Sequence, residues 1–301
     1  MAYKSLRDFI DQLERDGDLI RITTQVSTDL EITEIHKRTL HAGGPALLFE
    51  NVVNEHGVKS EMPVLVNLFG TVRRVAQAVT LGGQPRSTAG ELREVGELLA
   101  FLRQPEPPRD FKGAIELLPL ARTVMSMRPK TVKSAPCQDI VLTGEEIDLD
   151  RLPIQTCWPG EPAPLITWPL VVTKGPSDSK SDDYNLGIYR MQKLGKDRTL
   201  MRWLKHRGGA QHFARWKDKK PDPLPCAVVL GADPGTILAA VTPIPDTLSE
   251  YQFAGILRGQ KVELVDCKTV PLKVPAQAEI VLEGHVMLDE YGPEGPYGDH
   301  T

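Results

Sequence analysis

Three stretches of the sequence carry side chains whose types and spacing could do chemistry. The first is "NLGIYR", with Asn185, Tyr189 and Arg190 around Gly187, followed by "RWLKHRGG", with Arg202, His206, Arg207, Gly208 and Gly209. Glycine beside arginine lets backbone N–H groups approach an anion while the guanidinium binds it bidentately. The plain alternative, a basic hairpin with a glycine turn, is the simpler account of this stretch taken alone. The second is "DTLSEYQFAGILRG", where a helix puts Glu250 on one face with Phe253, Ala254 and Leu257. A carboxylate on an apolar face needs a partner or a metal. Thr247 and Glu250 also fit the S/T-x-x-E capping box, which gives Glu250 an ordinary structural task. Asn185, His206 and Glu250 together would make a mixed O/N/O set suited to Mn²⁺ or Mg²⁺ with phosphate as a further ligand. The third is "YGPEGPYGDHT", residues 291–301, with Glu294 and Asp299 in a run that cannot be helical. Asp and Gly are common in surface turns. The chemical reading is a pair of carboxylates on a stiff support, one with its pKa raised to act as proton donor.

The elements that must position these residues are readable in outline. Leu6, Phe9, Ile10 and Leu13 share a helical face, and Gly17 ends that helix. "LIRITTQV" reads as a strand, 29–42 as a helix stopped by Gly43-Gly44, and "PALLFENV" and "PVLVNLFG" as strands. Helical spacing returns at 71–81 and at 88–103, the latter through Leu92, Val95, Leu99 and Leu102. The proline cluster "QPEPPRDF" at 104–111 marks a boundary, with a helix at about 113–127 beyond it. The rest is richer in strands: "LITWPLVVTKG", "LPCAVVLGA", "KVELVDC" and "AEIVLEGHVM", interrupted by helices at about 210–218 and 247–258. "NLGIYRMQ" and "TLMRWLK" flank the turn "GKDR" as a hairpin, and 175–183 reads as a solvated loop. Strand parity puts Arg202 and His206 on one face but Asn185 and Arg190 on opposite faces. A common site then requires a bulge, with Gly187 the natural place, or a site wrapped around the strand's end. The pattern predicts an α/β domain over 1–112 and a β-rich domain over 113–301.

Composition limits the function classes. With 301 residues, 41% hydrophobic and 25% charged, the chain reads as a soluble globular protein. A net charge of −4 gives no footprint for general nucleic-acid binding. Cys137, Cys157, Cys226 and Cys267 form no C-x-x-C pair, which fits reduced thiols in a cytoplasmic protein. "MAYKSLRDF" lacks the apolar core of a signal peptide, and no apolar run approaches the ~20 residues of a membrane helix. Any membrane contact is expected to be peripheral. Walker A, G-x-G-x-x-G, H-E-x-x-H and G-x-S-x-G patterns are missing, so standard nucleotide, zinc-protease and hydrolase readings lack local support.

Taken together, "LRDFIDQLERDGDLIRI", "GGPALLFEN", "REVGELLAFLRQPEPP", "TCWPGEPAPLITWPL", "NLGIYRMQ", "MRWLKHRGGA", "VTPIPDTLSEY", "AEIVLEG" and "PEGPYGDHT" resemble the UbiD family of decarboxylases, in order and across the whole chain. The resemblance implies an N-terminal α/β domain and a split β-barrel like that of flavin reductases. It implies prenylated FMN as cofactor, manganese on its phosphate, and potassium in many members. By similarity, Asn185, His206 and Glu250 take the metal positions. Ile188, Tyr189, Arg190, Arg202, Trp203, Leu204, Arg207 and Gly208 fall on the flavin-contact segments. Arg190, Glu294 and Asp299 match an Arg–carboxylate–carboxylate network, with Asp299 as proton donor. The implied reaction is non-oxidative decarboxylation of a 3-polyprenyl-4-hydroxybenzoate to a polyprenylphenol in ubiquinone biosynthesis. The implied partners are that acid, a flavin prenyltransferase supplying the cofactor, and further copies of the chain, commonly as a hexamer. Family members continue well past Thr301, through the rest of the barrel and a C-terminal domain. An inactive fragment, with loop 291–301 displaced, is therefore one rival expectation. A split-barrel flavin oxidoreductase is the other, although no nicotinamide fingerprint supports it.

Overall fold

In the computed structural model, residues 3–79, 89–103, 126–176, 183–245 and 248–297 are described. Helix α1 (Leu6–Arg15) starts where Ser5 and Asp8 cap each other: the Ser5 hydroxyl accepts the Asp8 N–H, and the Asp8 carboxylate accepts the Ser5 N–H. Phe9 and Leu13, one turn apart, are fully buried. Gly17 at φ 71° turns the chain into β1 (Leu19–Ile22). Next come β2 (Val26–Ser27), α2 (Glu31–His41), β3 (Ala46–Phe49), β4 (Val52–Val53) and β5 (Val64–Val66). Gly43 at φ 63° follows the end of α2, as its sequence position predicts. The sheet order is β1-β3-β5, with β1 and β3 parallel and β3 and β5 antiparallel.

β3 explains its own apolar run. Ala46 and Leu48 pack with Phe9, Leu13 and Leu19. Leu47 and Phe49 pack with Ile32, Val52 and Val64 on the opposite face. Both faces of the strand are covered, so the alternation expected of a half-exposed strand disappears. "LIRITTQV" makes two strands rather than one, because β1 pairs with β3 whereas β2 pairs with β4. After α3 (Val72–Ala78) and α4 (Ala89–Arg103), the expected boundary at 112/113 and most of the helix expected at 113–127 lie outside the described residues.

The second part holds β6 (Lys130–Val132), β7 (Leu165–Ile166), β8 (Leu170–Lys174), β9 (Tyr184–Ile188), β10 (Met191–Lys193) and β11 (Thr199–Met201). Helix α5 (Gly208–Lys217), β12 (Leu224–Leu230), α6 (Pro234–Val241) and α7 (Glu250–Arg258) follow. The last elements are β13 (Glu263–Asp266), β14 (Lys273–Pro275) and β15 (Ile280–Val286). Three sheets result, ordered β15-β12-β8-β9, β11-β10-β7 and β14-β13-β6. β12 joins two cores. Ala227 and Val229 face Phe253, Ala254 and Leu257 of α7, while Cys226 and Val228 pack with Ile166 of β7 and Met191 of β10. The fold is a mixed α/β one, and among the described residues the strands do not close into a barrel. Among the described residues no helix is long and apolar enough to cross a membrane.

Three sequence expectations are corrected here. "NLGIYRMQ" is not one strand: β9 pairs with β8, β10 pairs with β7 and β11, and the chain changes sheets at Tyr189–Arg190. The hairpin of β10 and β11 forms as expected, with Met191 opposite Met201. β11 ends at Met201, so the strand parity linking Arg202 to His206 does not apply. The last helix begins at Glu250, not 247, because the Ser249 hydroxyl accepts the Gln252 N–H and acts as the cap.

Candidate functional site

The change of sheets at Tyr189–Arg190 builds the site, in place of the bulge expected at Gly187. Gly187 stays in register opposite Val171. It must be glycine for another reason: the Tyr189 ring folds back over it, and a Cβ there would stand 2.5 Å from Tyr189 Oη. Tyr189 Oη accepts the Gly209 N–H at 3.1 Å and lies 3.4 Å from Asn185 Oδ1. The Tyr189 ring meets Trp203 edge-on at 6.0 Å, and Trp203 packs on Phe213. Buried Tyr189 thus ties β9 to the start of α5, while Arg190 turns toward loop 291–297.

Helix α5 opens without a side-chain cap, since its N-cap Arg207 supplies none. Gly208 and Gly209 let its first turn press against the sheet. A Cβ on Gly208 would overlap Asn185 Oδ1, and one on Gly209 would sit 2.8 Å from Trp203 Nε1. Asn185 Nδ2 and Trp203 Nε1 are buried donors with no hydrogen-bond partner. Helix N-termini present unpaired N–H groups and the positive end of the helix dipole. Two orphaned donors, a glycine-lined helix start, and Arg202 and Arg207 on the approaching segment fit an anion such as a phosphate.

Of the three residues expected at a metal, two meet at β9. Asn185 is buried on the strand. Glu250, first in α7, accepts the Leu186 N–H through Oε2 at 3.3 Å. Since β9 is the edge of its sheet, this carboxylate covers an otherwise open backbone donor. With Ser249 as the cap, Glu250 does not have the capping task that its spacing from Thr247 implied, and Thr247 itself lies outside the described residues. His206 is exposed in the turn before α5, two residues from Gly208. Among the described residues no group of three or more His, Cys, Asp or Glu side chains gathers as a metal site. The expected set has only two residues of those types, its third ligand being the Asn185 amide. An amide oxygen, an imidazole and a carboxylate are a donor set that Mn²⁺ accepts.

Arg190 and Glu294 form the second half of the site. Arg190 Nε meets Glu294 Oε1 at 2.6 Å and Nη2 meets Oε2 at 2.9 Å, with only 19% and 14% of the side chains exposed. The Tyr297 ring lies under the guanidinium at 5.3 Å. The Tyr297 hydroxyl donates to the Ala163 carbonyl at 2.9 Å, and the Gly295 N–H donates to buried Gln192 at 3.1 Å. Burial first, then the Glu161 and Glu294 charges, push the Tyr297 phenol up to about 12, against the pull of Arg190. Over 294–297 the loop is therefore held against Arg190, Gln192 of β10 and Ala163, not displaced as a fragment reading expects. Asp299 lies outside the described residues, and so does its expected place in the network.

Of the expected flavin-contact residues, Ile188, Tyr189 and Arg190 straddle the change of sheets, and Arg202, Trp203, Leu204, Arg207 and Gly208 run from β11 into α5. Gly209, singled out in the sequence with Gly208, lies at the start of α5. Sequence reasoning missed Gln192 and Tyr297. Neither carried a signal, because their partners lie about a hundred residues away or more.

Comparison with known proteins identifies the family. Residues 130–301 match the model of the 3-octaprenyl-4-hydroxybenzoate carboxy-lyase Rift-related domain, and residues 10–99 that of the N-terminal domain of the same enzymes. Vanillic acid decarboxylase of Sedimentibacter hydroxybenzoicus, in closed form, superposes with a TM-score of 0.79 at 26% identity over 99% of this chain and 58% of its own. The UbiD-class enzyme HmfF of Pelotomaculum thermopropionicum, in complex with FMN, gives 0.77 at 30% identity over 98% of this chain and 58% of its own. An evolved dimeric form of HmfF in complex with prFMN gives 0.76 at 29% identity, over 99% and 61%. The chain thus spans about 58% of the length of the first two of these structures. Two family models that between them cover most of the chain settle its membership: it belongs to the UbiD family.

Proposed function

We propose that this chain carries the cofactor-holding part of a decarboxylase active site that uses prenylated FMN. The observation that carries the reading is the opening of α5: Gly208 and Gly209 pressed against Asn185 and Trp203, whose buried donors lack partners. The flavin phosphate would lie at this helix start, held also by Arg202 and Arg207, with Ile188, Tyr189 and Leu204 along the flavin. Manganese would be held by Asn185, His206 and Glu250, and potassium belongs to the same reading without an assigned ligand. The two flanking sheets, β15-β12-β8-β9 and β11-β10-β7, are read as parts of a split barrel, supported by the apolar core they share through Val171, Met191 and Val228.

When bound, the prenylated flavin supplies an electron sink for the ring carbon that loses CO₂. The chain's own residues do the rest. The planar fork of Arg190 is shaped for a carboxylate, and Glu294 and Tyr297 hold it in one orientation. Glu294 balances its charge, and Asp299 is the proposed proton donor to the ring carbon. The proposed substrate is an aromatic acid, read as 3-polyprenyl-4-hydroxybenzoate from the family model's description. Oligomeric assembly of the whole protein is part of the reading, supported by the dimeric form named for one relative.

The test is FMN titration of the full chain with Mn²⁺ present, followed by flavin fluorescence, for the wild type and Gly208→Val. The wild type should bind FMN and retain manganese, and Gly208→Val should lose both. Equal FMN binding by the two proteins would overturn the placement.

A further inference from the structure

Helix α5 is fixed to the sheet at a second point, one turn beyond the site. His212 is 5% exposed, and its Nδ1 lies 2.9 Å from the hydroxyl of Thr173, which is 0% exposed. Its Nε2 lies 3.3 Å from Asp183 Oδ1, and Arg215, further along α5, reaches both oxygens of Asp183 at 3.2 Å. Cys226, the Cα partner of Thr173 on β12, is the other titratable neighbour on that strand. Burial lowers the His212 pKa from its ordinary value, so the imidazole is neutral at pH 7 and has one donor and one acceptor nitrogen. That suits a bridge in which Thr173 donates to Nδ1 and Nε2–H faces Asp183.

The register gives this bridge a role. Thr173 and Asn185 are Cα partners across β8 and β9. Gly208 and His212 stand four apart on α5, one above the other on the same face. Gly208 presses on Asn185 while His212 holds its cross-strand partner Thr173. Two adjacent contacts therefore set how far α5 is slid along the strands. A slip of one residue would move the helix start by ~1.5 Å.

We infer that His212, bridging Thr173 and Asp183, is a positioning residue that holds the start of α5 in the register at which Gly208, Asn185 and Trp203 receive the flavin phosphate. The inference rests on the phosphate placement proposed above. FMN is titrated into the full chain with Mn²⁺ present, alongside thermal unfolding, for Thr173→Val, His212→Leu, their double variant, His212→Gln and Gly208→Val. Thr173→Val and His212→Leu should each raise the FMN Kd by about tenfold or more, as loss of an outer-shell partner does. The double variant should be no worse than the worse single one, because both act through one bridge. His212→Gln, with its own donor and acceptor, should recover most of the affinity. An unchanged Kd with a lowered unfolding temperature would overturn the inference, leaving the bridge purely structural. Fully additive losses would overturn it too. Thr173→Val, nearly isosteric, carries the test if His212→Leu does not fold. If Gly208→Val loses FMN while Thr173→Val keeps it, only this inference fails. If Gly208→Val binds like the wild type, or the wild type binds no FMN, the phosphate placement fails and the inference with it.

Discussion

The β1-β3-β5 unit and the junction of β9 with α5 treat buried polar groups in opposite ways. In the first, Arg74 is 1% exposed yet donates to the carbonyls of Leu68 and Asn67. Asn67 donates in turn to the carbonyls of Gly44 and Pro45. The polar atoms left over there are oxygens, Asp18 Oδ2, Asn67 Oδ1 and Gln77 Oε1, on side chains otherwise engaged through an ion pair or an N–H. At the junction one leftover atom is again an oxygen, Asp183 Oδ2, on a carboxylate that faces Arg215, but two are donors, Asn185 Nδ2 and Trp203 Nε1. Orphaned buried N–H groups are the rarer kind. One region is built to hold itself together, and the other leaves two buried donors unpartnered beside the start of α5.

If that contrast is right, substitutions in the first region should cost stability and leave binding alone. The largest effect is expected for Phe9→Ala, which empties a fully buried ring site in the first core. It should lower unfolding free energy by about 3–5 kcal/mol in denaturant titration, with the FMN Kd of the folded fraction unchanged. A coupled loss of FMN affinity would erase the distinction between the regions.

Glu294→Gln should come next. It removes the counter-charge of a mostly buried guanidinium and should cost about 1.5–3 kcal/mol. Turnover by the whole protein should fall much further than stability, and FMN binding should persist. Arg190→Lys should bind flavin and decarboxylate poorly. Wild-type turnover in either variant would remove the pair from the mechanism.

Ser249 and Glu250 divide two tasks between neighbouring residues. Ser249→Ala should cost about 1 kcal/mol in thermal unfolding and keep manganese. Glu250→Gln should lower manganese content and FMN affinity together. Manganese retained in Glu250→Gln would remove that carboxylate from the metal site.

The smallest effect concerns alkaline stability. The Tyr297 phenol is raised to about 12 from 10.0, so the fold favours its neutral form. Its contribution is complete below pH 10 and fades as pH rises toward 12, because the unfolded chain ionises first. Tyr297→Phe should therefore lose less stability than the wild type between those values. Parallel curves would mean that the phenol ionises alike in both states.

Much of the scaffold was legible because its signals are local. Gly17 and Gly43 end their helices where their positions indicate, and the β10–β11 hairpin forms around its turn. The cap of α7 was legible but misassigned: Ser249 followed by Gln252 fits the same box as Thr247 followed by Glu250. The site's candidates were legible as residue types, and their arrangement was not. Nothing within "NLGIYRMQ" announces that the chain leaves one sheet for another at Tyr189. That decision belongs to β8 and β7, which claim its two halves from elsewhere in the chain. The docking of Tyr297 on Ala163 spans 134 residues and has no local signature.

The most direct test of the central claim is a crystal structure of the chain with FMN and Mn²⁺, with anomalous scattering locating the manganese. The phosphate should lie at Gly208 and Gly209, accepting from Asn185 or Trp203, with manganese between Asn185, His206 and Glu250. Phosphate density away from the start of α5, with Trp203 Nε1 still unpartnered, would contradict the account.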